Sequence, residues 1–287
     1  MPGYMKFLAK APKLWKAGVA LPGTHHTVRV EAIGGKIYAV TENGIFESNT
    51  DVSVWTKLTN LPTVKYDFGA SGFGEFLYVL GGRTGTSGLQ LGLKEAYRYH
   101  IPTLSWTTLT NLWESVWDLA SCANGSGMTG YAYNIGGRAD YVNDTVYYVE
   151  ADRMLSVMST WDKIPNMPLS RAGHAAIATG LTTVYVFGGY NGSGDTASAL
   201  TYNGSSWSSL ANMPFANKKM AATYTGNDVY LTGGSNNQTS FLKYNIPGNS
   251  WEQLTPMNTG KSNHGMVILN NCIYSVGGGS VEYIELV

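Results

Sequence analysis

Charge is scarce in this chain. Asp, Glu, Lys and Arg make up 13% of its 287 residues, about half the roughly 25% common in soluble domains. Acidic and basic residues number 19 each, so no net field draws the protein towards nucleic acid or an anionic membrane. No apolar run approaches the roughly 18 residues of a membrane-spanning helix, which argues against membrane insertion. The opening MPGYMKFLAKAPKLWKAG carries lysines but no unbroken apolar stretch of signal-peptide length. Cysteine is confined to Cys122 and Cys272. They fall at unrelated places and are expected to be free, buried thiols. Neither a Gly-x-Ser-x-Gly elbow nor a phosphate-binding loop occurs, so a serine-hydrolase or nucleotide-binding reading has no motif to rest on.

Gly, Ser, Thr, Asn and Tyr fill the place that charge leaves. A neutral, hydrogen-bonding surface of that kind suits virion or other extracellular proteins better than most cytosolic enzymes. With no export signal in view, the expected location is the virion or the cytoplasm. The sequons at Asn191, Asn203 and Asn237 then read as turn residues.

The chain repeats itself. Anchored on Trp, six tracts align without gaps: LWKAGVALP (Trp15), VWTKLTNLP (Trp55), SWTTLTNLW (Trp106), TWDKIPNMP (Trp161), SWSSLANMP (Trp207) and SWEQLTPMN (Trp251). A second landmark is a glycine pair closing an apolar run: Gly81-Gly82, Gly136-Gly137, Gly188-Gly189, Gly233-Gly234 and Gly277-Gly278, with Thr41-Glu42 in the sixth place. Successive apolar residues mean a strand covered on both faces. Paired glycines permit positive φ and a close backbone approach. Phe46, Tyr99, Tyr148, Tyr202 and Tyr244 are placed one strand before the Trp, where aromatic packing against it is expected. Each unit thus reads as strand, turn, strand ending in Gly-Gly, loop, aromatic-bearing strand, Trp-bearing strand.

Gly pair, Tyr and Trp recurring in phase resemble the kelch-repeat β-propeller family, over nearly the whole chain. The resemblance implies an all-β, six-bladed β-propeller of kelch type, with four strands to a blade. Residues 1–13 would be a short N-terminal extension and residues 14–287 a single propeller. Because the chain opens on a Trp strand and ends one strand short, the N-terminal strand is expected to complete the last C-terminal blade. Trp15, Trp55, Trp106, Trp161, Trp207 and Trp251 are the structural residues of that scheme. Blade 2 has a long loop, Arg83 to Glu95. Blade 3 has a wide first turn, NGSGMTG, an excursion from Glu150 to Ser159, and two extra tryptophans, Trp113 and Trp117.

The resemblance also implies that loops after the Gly pairs and loops between blades share one face. Lys65, Arg83, Arg138, Arg171 and Lys261, with His174 and His264, form the candidate ligand-binding set around that mouth. A protein partner or an acidic glycan is the expected ligand. The competing account makes these residues braces between blades, neutralised by Glu42, Asp118 and Asp195. No metal site is expected: His25 and His26 are strand neighbours that point apart, and His174 and His264 belong to blades that do not adjoin. No catalytic residue or cofactor is assigned. The functional expectation is a non-enzymatic binding or assembly module, such as a phage tail or receptor-binding protein. The alternatives are an enzyme resembling bacterial six-bladed kelch sialate mutarotases and an intracellular kelch adaptor.

Overall fold

The computed structural model describes residues 13–86, 91–126, 129–141, 144–155 and 158–286. The expected N-terminal extension lies, except for Lys13, outside them. All regular structure among these residues is β, in six four-stranded antiparallel sheets and one small hairpin.

Blade 1 comprises Val28–Ile33, Lys36–Thr41, Gly44–Ser48 and Trp55–Thr59; blade 2 comprises Gly69–Phe73, Phe76–Leu80, Ala96–His100 and Ser105–Thr108. Blade 3 is Ala120–Ser126, Thr129–Ile135, Ala151–Leu155 and Asp162–Ile164; blade 4 is Ala175–Ala178, Val184–Phe187, Ala199–Tyr202 and Trp207–Ser209. Blade 5 is Ala221–Thr225, Asp228–Thr232, Phe241–Asn245 and Ser250–Gln253. Blade 6 has Gly265–Leu269, Cys272–Gly277 and Ser280–Glu285, completed by Lys16–Gly18, which pairs Lys16 with Tyr283 and Gly18 with Val281. The first strand of each blade packs beside the first strands of its two neighbours, so the ring closes around an axial channel.

The core lies between blades. Each of the six seams holds its own apolar cluster, from the one joining blades 6 and 1 to the one joining blades 5 and 6. The six repeat tryptophans bind these seams at the rim. Each indole Nε1 donates to a carbonyl in the Trp tract of the preceding blade: Trp55 to Val19 (3.0 Å), Trp106 to Asn60 (3.2 Å), Trp161 to Thr110 (3.0 Å), Trp207 to Pro165 (2.7 Å) and Trp251 to Ala211 (2.9 Å). Trp15 closes the circle on Thr255 at 3.1 Å and packs edge-on against Phe241. An indole suits this job because its body fills the seam while its one polar atom finds an acceptor.

The Gly pairs do the matching work near the axis. Gly136 has φ +53°, and a Cβ there would meet the Arg171 carbonyl of the next blade at 2.6 Å. Gly137 N–H donates to that same carbonyl at 2.8 Å. A side chain would fail on both counts, the positive φ and the contact.

Blade 3 departs from the expected layout. Its extra residues form the hairpin Arg138–Tyr141 with Asp144–Tyr147, directly after the Gly pair. Its third strand is Ala151–Leu155, where Met154 stands opposite Ala132 in the place that Tyr99 and Tyr202 take in blades 2 and 4. Tyr148 therefore precedes this strand, and the excursion from Glu150 is largely the strand itself. The wide first turn extends a longer first hairpin, Ala120–Ser126 with Thr129–Ile135. In the blade 2 loop, residues 87–90 lie outside the described set, and the rest is pinned by bridges from Arg83 to Gly92 and from Leu93 to Val116. Both cysteines are free; Cys122 is buried and Cys272 half-buried. Asn191 and Asn203 cap their turns, accepting from Ser193 N at 3.0 Å and Ser205 N at 3.0 Å.

Candidate functional site

Twelve residues after each repeat Trp stand Thr27, Asp67, Asp118, Gly173, Lys219 and Asn263. The last five adopt left-handed backbone, with φ between 49° and 62°. Their amides and carbonyls link head to tail around the axis. Asp118 N donates to Asp67 O (2.9 Å), Gly173 N to Asp118 O (2.7 Å), Lys219 N to Gly173 O (2.6 Å) and Asn263 N to Lys219 O (3.0 Å). Val28 N takes Asn263 O at 3.2 Å, and the Thr27 hydroxyl accepts from Asp67 N at 2.8 Å, which closes the circle. This backbone belt is the neck of the channel.

Its side chains fill that neck. From blade 5, Lys219 Nζ crosses to Asp67 Oδ1 in blade 2 at 3.4 Å and reaches Asp118 Oδ1 in blade 3 at 3.5 Å. Asn263 donates through Nδ2 to Asp67 Oδ1 at 2.8 Å, and its Oδ1 accepts from Arg29 Nη2 at 3.0 Å. Burial pushes the Asp67 carboxyl up, but Lys219, Arg83 and His26 outweigh it and hold it below the usual carboxylate range. For Asp118 burial prevails over Lys219 and the carboxyl is raised. Below the neck lies a cavity of about 170 Å³, lined in part by Glu31, Cys122, His174 and His264. Burial pushes Glu31 up to about 8. Deeper still, Asn124 of blade 3 donates across to Tyr224 Oη of blade 5 at 3.0 Å.

The seven candidate residues fall into two groups. Lys65, Arg171 and Lys261 are fully buried, each bonded inside its own blade. Arg171 Nη1 donates to Gly188 O at 2.9 Å, and Nη2 to Ser198 Oγ at 2.9 Å. Lys261 Nζ donates to Ser275 O and Ser280 O, while Lys65 Nζ reaches Glu95 O at 3.5 Å. Burial lowers Arg171 to about 10 and both lysines to about 8. Asn217, at the same repeat position, likewise donates to Gly233 O at 2.9 Å. This position anchors the Gly-pair loop. His174 and His264 are buried too, and burial lowers both, His264 to about 3, so they stand in the channel wall as neutral imidazoles.

Arg83 and Arg138 do reach the mouth. Arg83 grips Asp67 Oδ2 through Nε at 2.7 Å and Nη2 at 2.6 Å. Arg138 Nε stands 3.6 Å from Asp118 Oδ2. Beside Arg138 opens a pocket of about 350 Å³, lined by Asp118, Arg138, Tyr147, Ala172, Tyr190, Lys218 and Lys219. Tyr147, brought by the blade 3 hairpin, packs on Tyr190 with centroids 5.4 Å apart. Lys218 Nζ lies 4.9 Å above Tyr190 and 3.0 Å from Asp195 Oδ1. Of the expected neutralisers, Asp118 alone faces a candidate cation, Arg138; Asp67 takes Arg83, Asp195 pairs with Lys218, and Glu42 accepts from the His26 and Thr27 amides at 2.7 and 3.2 Å. Cations with exposed surface nevertheless remain at Arg138 and Lys218.

Sequence reasoning missed Tyr147, Tyr190, Lys218 and Lys219 at the mouth and Arg29 at the neck. A signal existed for the belt: Asp, Gly and Asn, which tolerate left-handed backbone, recur at a constant spacing from Trp. No such signal marks the Tyr147–Tyr190 pair, because the hairpin that delivers Tyr147 is an insertion in one blade.

The family model of the Kelch motif matches residues 171–214, the blade 4 repeat. Human Kelch-like protein 23 is 26% identical over 246 residues, 80% of this chain and 41% of that protein. The chain thus carries a Kelch motif and is similar along most of its length to Kelch-like proteins. Cattle (Bos taurus) Kelch-like protein 36 is 33% identical over 136 residues, 44% of this chain and 22% of that protein. The chain thus spans about two fifths of the length of the curated Kelch-like proteins it matches along most of its own. Among solved structures, the one titled "Structure of YjhT" superposes with a TM-score of 0.78 at 14% identity, covering 94% of this chain and 97% of that one. It shares the fold of this kelch propeller.

Proposed function

We propose that this propeller is a non-enzymatic binding module whose loop face receives an acidic group of its partner, a protein loop or an acidic glycan, beside the channel mouth. What carries the reading is the pocket at Arg138, Lys218 and Lys219, where cations keep exposed surface next to paired tyrosines. Charges over a partly dry cavity attract carboxylates more strongly than charges spread over open surface. Arg adds a planar fork that matches a carboxylate. Kelch repeats in the related proteins fit a binding role, and the low-charge, Tyr- and Asn-rich composition supports a virion setting such as a phage tail. The test is a binding screen of acidic peptides and acidic glycans against wild type and Arg138→Gln/Lys218→Gln, at low and high salt. Affinity lost in the variant and weakened by salt supports the reading; equal affinity in both proteins at all salts defeats it.

One observation favours a second reading. Asp118, a carboxyl raised by burial, lines the same pocket, as a general acid on an acidic sugar would. Anomer exchange or turnover of acidic sugars, followed by NMR with Asp118→Asn as control, separates an enzyme from a binder.

A further inference from the structure

Below the neck, the axial cavity carries a charge that no side chain neutralises directly. On the innermost strand of blade 1, Val28 and Val30 are buried in the seam, while Arg29 and Glu31 alternate with them and line the cavity. Arg29 Nη1 donates to Val28 O at 2.9 Å and Nη2 to Asn263 Oδ1 at 3.0 Å. A guanidinium carries more N–H donors than these two bonds use. Every Arg29 nitrogen is either hydrogen-bonded or accessible. Among the described residues no carboxylate pairs with it. Asp67 and Asp118 act on it only through space, and they are already held by Lys219, Arg83 and Arg138. Burial keeps the Glu31 carboxyl protonated at neutral pH, so it does not offset the charge. A buried cation without a counter-charge is costly, and a diffusible anion removes that cost. There is room for one. Ser121, Ala123, Ala176 and Ala222 present small side chains to the cavity of about 170 Å³, and an engineered cavity of about 150 Å³ admits benzene.

We infer that the axial cavity is a binding site for a small monoanion, of acetate size or less, held by the Arg29 guanidinium. Glu31, two residues along the strand and about 6.5 Å away, donates its carboxyl proton to the same anion. Asp118 and Lys219 stand between this site and the loop-face pocket, so the inference is independent of the loop-face reading.

Wild type, Arg29→Gln, Glu31→Gln and Arg138→Gln/Lys218→Gln are unfolded with urea at pH 7 in rising sodium acetate. The sodium salt of a sulfonate too bulky for the cavity holds ionic strength constant. A ligand of the folded state alone raises stability with its concentration. Acetate stabilises wild type over the sulfonate. Arg29→Gln weakens its affinity about tenfold or more, and Glu31→Gln, whose amide still donates, stays within about threefold. The mouth double variant matches wild type. Above pH 8 the ionised Glu31 repels the anion, so affinity falls in wild type and holds in Glu31→Gln. The other titratable groups facing the cavity, Asp118, Cys122, His174, Lys219, Tyr224 and His264, are common to both proteins and cannot cause that difference. If acetate gains nothing over the sulfonate, the cavity holds water alone and the site is overturned. Equal affinity in Arg29→Gln overturns it too. Loss confined to Arg138→Gln/Lys218→Gln puts the anion at the mouth, which overturns the axial site and leaves the loop-face reading standing. Should Arg29→Gln not fold, wild-type crystals soaked in bromide decide: anomalous density within hydrogen-bond reach of Arg29 upholds the site, and its absence overturns it.

Discussion

The rim and the neck of this propeller are both circles of inter-blade hydrogen bonds, built on opposite plans. At the rim the side chain is constant: six tryptophans make the same bond to the preceding blade. At the neck a left-handed backbone recurs in five of the six blades while the side chains differ, running Asp, Asp, Gly, Lys and Asn around the axis, and the Thr27 hydroxyl closes the sixth link. A structural duty carried by an indole leaves no room for variation. Carried by amides and carbonyls, it leaves the side chains free for something else. Stability is therefore concentrated at the rim and seams, and the proposed recognition is assigned to the mouth.

The largest effect should follow from breaking the rim. Trp15→Ala removes a buried indole, its bond to Thr255 and its contact with Phe241 in the seam that closes the ring. A loss of roughly 3–5 kcal/mol is expected from denaturant unfolding. A loss under about 1 kcal/mol, the scale of an ordinary surface change, would mean that closure does not depend on this strand.

Next in size is a change at the inner seam. Gly136→Ala forces a Cβ towards the Arg171 carbonyl at a residue with φ +53°, and should cost about 1–3 kcal/mol. Ala at Gly226, which also has positive φ but meets nothing within 4 Å, separates backbone strain from the clash. Equal losses at the two sites would show that the contact does not matter.

How legible all this was in the sequence follows the same division. Trp tracts and Gly pairs announce the blades because one physical demand recurs six times at fixed spacing. Lys65, Arg171 and Lys261 look like a cationic cluster in the sequence, yet their repeat position points inward to anchor each Gly-pair loop. Charge alone could not reveal direction; Asn217 and Val116 in the same repeat place were the clue that the position does not require a charge. The pocket was illegible for a different reason. Tyr147, Tyr190 and Lys218 come from an insertion and two neighbouring loops, and no periodic demand relates them.

A smaller effect tests the channel. Burial raises Glu31 from an ordinary value near 4.5 to about 8. The folded state therefore binds more protons than the unfolded state between those values, and stability falls as pH rises through that window and levels off above it. Glu31→Gln should flatten this part of the stability profile, measured by denaturant unfolding from pH 4 to 9. A profile as steep as that of wild type would place the pH dependence elsewhere.

The smallest expected change in stability belongs to the mouth, and it bears most directly on the division between rim and neck. Arg138 and Lys218 keep 28% and 32% of their side-chain surface exposed, and their ion pairs lie at the partly solvated edge of the pocket. Replacing both with Gln should shift unfolding by no more than about 1 kcal/mol. The deciding measurement takes affinity for a tetraglutamate peptide and glucuronate, and denaturant unfolding, on the same preparation of Arg138→Gln/Lys218→Gln. Binding lost with stability retained is the predicted result; binding retained with stability lost would contradict it.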